Sequence, residues 1–388
     1  MVGESAEAKV AVQSSGRDRL LDAWRGISVL LVVLYHVVEF RFKSIFRTDT
    51  DGGISPPSSN LHGIARWINH QALRELEYSG PLGVQIFFVI SGYIITKLLL
   101  REQQRNGRIS LAAFYVRRAF RILPPLCLML GTTFVFASLG HIYVDHKSIA
   151  MASLFLCNIQ PESCSWFTGH TWSVAIEEQF YLAWPLLLTM IGFRAVAVVS
   201  LALCLLFIAV EHSSLLTFFW IHNALSGSCI AAGALYASSD TFRSLIGKAA
   251  NLPLLLVAAA LLFGKPFLQS HFHGLPEIVT ALIPFLIVLV VFGSFRFRAD
   301  VENRMGVRVL SAIGLVSYGL YLWQEMFLAD ATFYLRHSIL EYAPVCALVV
   351  ILSYLLIEKP LVRVAATLSR KTIEQGTVDF QTATKFES

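Results

Sequence analysis

A chain of 388 residues that is 55% apolar or aromatic and only 15% charged is not an ordinary soluble domain, where about a quarter of residues carry charge. Its formal net charge of +5 falls where membrane topology puts basic residues, so it gives no surface to assign to nucleic acid. Runs such as 201–210, 252–263 and 281–292 are apolar on all sides, the pattern of helices surrounded by lipid or by other helices. The expected fold is all-α integral membrane, a bundle of about ten transmembrane helices with both termini cytoplasmic.

A spanning helix needs about 20 residues. Segments of that kind fall at approximately 20–40, 80–100, 121–140, 171–192, 194–211, 216–237, 249–265, 275–295, 310–330 and 341–358. Residues 1–19 are polar and lack a small-residue cleavage site, so they read as a cytoplasmic tail and not a signal peptide. Residues 20–358 form one membrane domain. The polar segment 359–388 is a second cytoplasmic tail, too short for a globular domain, which places the chemistry inside the bundle. With the N-terminus inside, the inner segments hold 21 Lys and Arg and the outer ones 8, the asymmetry that orients membrane proteins.

The first span carries RGISVLLVVLYH, with ten apolar, aromatic or small residues between Arg25 and His36. Eleven steps of about 100° return His36 to the side of Arg25, about 16 Å further along the helix. Ionisable groups within spans are expensive and mark functional or paired interior positions; here they are Arg25, His36, Glu39, Lys97, Glu177, Glu178, His222, Glu277, Glu325 and Glu358. A snorkelling anchor accounts for Arg25 and a packing contact for His36. An imidazole that titrates near neutrality is also a ready general base.

After a long loop over 41–79 comes GVQIFFVISGYIITK, whose Ser91-Gly92 pair permits close helix approach. Next, on the inner side, FYVRRAFRILPP sets Arg118 and Arg121 on one helix face with Arg117 beside them. Topological anchoring explains these charges, but planar guanidinium forks also suit phosphate oxygens. In the outer loop over 141–170, Cys157 and Cys164 lie in LFLCNIQPESCSW on either side of a Pro-containing turn and are either bridged in an oxidising compartment or two unrelated thiols. The other four cysteines read as inert packing residues, and no metal-ligand spacing is present. HTWSVAIEEQFYLAWP follows. In it Glu177 shares a face with Ser173 and Tyr181 while Glu178 is rotated away, so Glu177 is the carboxylate expected to orient or balance His36.

These stretches, followed by VSYGLYLWQ and YLLIEKP, resemble in order and separation the acyltransferase-3 family of membrane O-acyltransferases, over roughly residues 17–363. The resemblance implies transfer of an acyl group, commonly acetyl from cytosolic acetyl-CoA, to a hydroxyl, often on a sugar of a cell-surface glycan. By position it implies catalytic roles for His36, Glu177 and Arg25. It implies donor binding by Arg118, Arg121 and Arg117, with the Ser-Gly motif at Ser91 and Gly92. It also implies no metal, acyl-CoA as donor substrate rather than a bound cofactor, a carbohydrate or glycolipid acceptor, and a place in the bacterial inner membrane. Where the family often has a histidine after Leu-Tyr-Leu-Trp, this chain has Gln324. A glutamine cannot act as a base, which puts models with two titrating histidines in question and leaves His36 as the expected base. Acylation of a small molecule such as a macrolide or a lipo-oligosaccharide signal stays open. So does a glycan or lipid transporter using the same charges as a proton relay.

Overall fold

The computed structural model describes residues 18–38, 63–211, 218–272, 274–328 and 339–369. Residues 1–17, Glu39, residues 370–388 and the His222 side chain lie outside it. Every element among the described residues is helical. Six helices are long and apolar enough to cross a membrane, or up to eight if each of two bent pairs is one span.

The helices are α1 (Arg19–Val37), α2 (Gly63–Asn106), α3 (Leu111–Ser138), α4 (His146–Ser153), α5 (Trp166–Gly169), α6 (Thr171–Ile191), α7 (Val196–Glu211) and α8 (Phe218–Ser238). They continue with α9 (Asp240–Ala249), α10 (Leu252–Phe263), α11 (Lys265–His271), α12 (Leu275–Gly293), α13 (Arg298–Val301), α14 (Met305–Leu315), α15 (Ser317–Leu328) and α16 (Ile339–Ser353). Several depart from the sequence expectation. Residues 63–79, expected as loop, extend α2 at its N-terminal end. The inner loop expected over 101–121 shrinks to a short connection, because α2 runs to Asn106 and Ser110 then caps α3 by accepting from the Ala113 amide. Helix α7 has 16 residues, short of a full crossing. The span expected over 249–265 is the 12-residue α10, which α9 meets at 99°, and the span expected over 310–330 is broken where α14 meets α15 at 75°.

Lipid supplies no hydrophobic drive between helices, so close backbone packing must hold the bundle. The membrane portion of α2, Tyr78–Asn106, is 78% buried over its apolar window, which makes it the central helix. It packs on α8 through two glycines. A Cβ on Gly92 would overlap the carbonyl of Ile230, and one on Gly233 would overlap that of Val89. The same device joins α1 to α14, where Gly26 lies on the carbonyl of Leu310 and Gly314 on that of Asp22. Helices α1, α2, α6 and α15 thereby enclose one interior lane.

Candidate active site

Helix α1 presents Arg25, Val29, Val32 and His36 as one stripe to three successive cavities, named inner, middle and outer in order from Arg25 to His36. The 3.6-residue repeat requires that alignment. Neighbouring cavities share walls: Phe87, Glu177 and Tyr318 line the inner and middle ones, and Val32, Val84 and Tyr321 line the middle and outer ones.

The inner cavity gathers Arg25, Arg118 and Arg121 around Glu177. Glu177 accepts hydrogen bonds from the hydroxyls of Ser91 and Tyr181. The Arg118 guanidinium lies over the Tyr181 ring at 4.9 Å, and Arg25 lies over Phe87 at 5.6 Å with Asp22 3.9 Å away. No carboxylate forms an ion pair with Arg118 or Arg121 among the described residues. Three guanidinium groups against two carboxylates, Glu177 and Asp22, leave a surplus of positive charge, which suits an anion. Two residues expected here sit elsewhere. Arg117 bonds Glu102 at 3.0 Å and pins α3 to the end of α2. Gly92 faces Ile230, so it is a packing residue of the α2–α8 contact.

The middle cavity is narrow and mostly apolar, walled by Val29, Val32, Val84, Phe87 and Phe88, with Ser28, Ser173, Glu177, Ser317, Tyr318 and Tyr321 as its polar residues. Tyr321 is fixed there because its hydroxyl donates to the His170 carbonyl at 2.8 Å and lies 2.6 Å from Ser173 Oγ.

The outer cavity encloses about 570 Å³ and is lined by His36, His170, Glu325, Gln85, Trp166 and Tyr321, among others. His36 Nε2 lies 3.2 Å from Oε1 of Glu325, and His170 Nδ1 lies 2.7 Å from Oε2 of the same carboxylate. The three side chains come from α1, the α5–α6 junction and α15. All are buried, with 7% exposure for His36, 4% for His170 and 3% for Glu325. The Trp166 ring meets the His36 ring edge to face at 5.6 Å. Nearby, Cys157 and Cys164 are bridged with Cα atoms 5.9 Å apart, and Cys164 lines this cavity.

The partner of His36 is therefore Glu325 and not Glu177, whose hydrogen bonds go to Ser91 and Tyr181. Glu177 sits too far toward the inner end of α6, two turns from His170, to serve the outer cavity. Gln324 is buried, neither of its amide atoms has a hydrogen-bond partner among the described residues, and it does not line the cavity. His170 opens the motif HTWSVAIEEQFYLAWP, and Glu325 follows VSYGLYLWQ directly and is among the intramembrane carboxylates of the sequence. Their pairing had no signal there, because it joins helices remote in the chain. Among the described residues no group of His, Cys, Asp and Glu is placed to hold a metal ion.

A family description for an acyltransferase domain, acyltransferase 3, matches residues 18–358. The chain belongs to this acyltransferase family. With that membership, the apolar helices describe a multi-pass membrane protein. Among its relatives is the O-acetyltransferase OatA of Staphylococcus aureus strain NCTC 8325 / PS 47, 27% identical over 325 residues, covering 73% of this chain and 52% of the relative. Another is the protein SACOL0978 of Staphylococcus aureus strain COL, 28% identical over 339 residues, covering 78% of this chain and 49% of the relative. The chain thus spans about half the length of the curated relatives it matches. No solved structure matches it.

Proposed function

We propose that this acyltransferase is an O-acetyltransferase that takes acetyl from cytosolic acetyl-CoA and transfers it to a hydroxyl of a cell-surface or exported glycan. The lane inside the bundle carries the proposal: an anion-binding end at Arg25, Arg118 and Arg121, a narrow apolar middle, and a roomy cavity holding His36 and Glu325. A CoA molecule has the same sequence of properties, a phosphorylated head followed by a slim arm that ends in the thioester. The names of the relatives support O-acetylation. Within this reading residues 20–358 are the working domain, about ten crossings place both termini in the cytoplasm, and the membrane is the bacterial inner membrane. The Cys157–Cys164 bridge supports that orientation, because disulfides persist on the oxidising side.

The chemistry follows from the outer cavity. Glu325 accepts the Nε2 proton of His36 and so holds its tautomer, which leaves Nδ1 as the basic atom. Nδ1 removes the proton of the acceptor hydroxyl as its oxygen attacks the thioester carbonyl. The tetrahedral intermediate collapses, the C–S bond breaks, and the proton leaves with the CoA thiol. A positioned base of this kind contributes about 10²- to 10⁴-fold. Trp166, Trp172 and Gln85 line the same cavity and give an acceptor sugar both a flat apolar wall and a hydrogen-bonding amide.

The test is transfer of label from radiolabelled acetyl-CoA into membrane glycans, comparing wild type with His36→Ala at matched protein levels. Label dependent on wild-type protein supports the proposal. Equal label in both preparations sinks it.

A further inference from the structure

The site holds one histidine more than a single general base requires. Glu325 divides its two oxygens between two imidazoles, and each ring has a second nitrogen, Nδ1 of His36 and Nε2 of His170, that is buried without a hydrogen-bond partner among the described residues. Because a carboxylate only accepts, both nitrogens facing it carry protons. With both rings neutral, the cluster would bury one net negative charge within the bundle, which is unfavourable. One additional proton makes it neutral.

The two contact lengths give the geometric ground for assigning that proton. A charge-assisted N–H to carboxylate contact is about 2.7–2.9 Å long, whereas a neutral one is longer. His170 lies at 2.7 Å and His36 at 3.2 Å. We propose that His170 is the imidazolium of a His36–Glu325–His170 array, a positioning residue whose positive charge neutralises Glu325 and keeps His36 uncharged and basic. This rests on the acyltransfer reading for its consequence, though not for its geometry. Without His170, Glu325 would have only His36 to balance it, and His36 would take up a proton and lose its function as a base.

The groups facing His170 bear this out. From α15 come Glu325 and Tyr321, whose ring lies 5.6 Å away; from α1 comes His36; Ser173 is its neighbour on α6. Among them Glu325 is the one anion. Glu177 and the three arginines line the inner cavity, beyond Tyr321.

The experiment uses the full chain in lipid nanodiscs with ¹⁵N-labelled histidine, its resonances assigned with His36→Gln and His170→Gln. At pH 7.5, wild type should show His170 doubly protonated and His36 neutral. In His170→Gln the His36 ring should instead appear doubly protonated at that pH. In parallel, transfer of label from acetyl-CoA should fall about 10-fold or more at neutral pH and recover as pH rises, a shift a purely structural role would not produce. Should His170→Gln not fold, Glu325→Gln serves instead, and both rings should then be neutral at pH 7.5. A neutral His170 in wild type, or a His36 titration unmoved by His170→Gln, overturns the proposal. Absence of label transfer by wild type would reject the acyltransfer reading alone, since the nitrogen resonances need neither donor nor acceptor.

Discussion

Nε2 of His36 and Oε1 of Glu325 meet at 3.2 Å inside the outer cavity, although one belongs to the first described helix and the other to α15. The contact depends on two breaks in regular pattern. The 75° bend between α14 and α15 reorients the second half of an expected span. The close packing of Gly26 and Gly314 brings that span's first half against α1.

Removing the charge of Glu325 should disable the site while leaving the fold intact. Glu325→Gln is expected to lower acetyl transfer about 10²- to 10⁴-fold, because the imidazole loses the anion that holds its tautomer. Glu325→Asp should retain part of the activity. Initial rates at matched protein level, with detergent-stable yield as the folding control, provide the check.

The inner arginines should act on donor binding. Arg118→Ala and Arg121→Ala are each expected to raise the KM for acetyl-CoA about 10- to 100-fold, the effect of losing one or two charge-assisted hydrogen bonds worth about 1.5–3 kcal/mol. The turnover number should change less. Arg117→Ala should leave this KM near wild type, since Arg117 is spent on Glu102. A KM that rises as much for Arg117→Ala as for Arg121→Ala would contradict the assignment.

Glycine packing makes a prediction about stability alone. Gly92→Leu and Gly26→Leu each force a side chain into an opposing carbonyl and should destabilise the bundle by about 1–3 kcal/mol or more. Gly131→Leu, at a position with nothing within 4 Å of a new Cβ, should be tolerated. Thermal aggregation in detergent distinguishes the three.

The Cys157–Cys164 bridge closes a short loop and is expected to contribute about 2–3 kcal/mol to local order. Cys164 borders the outer cavity and Trp166, two residues on, touches His36. Reduction should therefore lower activity as well as the melting temperature. Mass-shift alkylation of the denatured protein should show two more reactive thiols after reduction than before it.

Composition and periodicity alone determined that this chain is a helical membrane protein, since long stretches with no polar face have one stable environment. Helical repeat also determined that Arg25 and His36 lie on one side of α1, because that relationship is set within a single helix. The arginines at 118 and 121 share a face for the same reason. Tertiary structure decided the rest. It gave His36 to Glu325 and not to Glu177, placed His170 on the second oxygen of that carboxylate, turned Gly92 into a packing contact, and tied Arg117 to Glu102. Each of these pairs lies on different helices, and their meeting depends on crossing angles, on which glycines allow backbones to touch, and on where a span is broken. Local propensity carries no record of those, so the residues of the site were readable one by one while their partnerships were not.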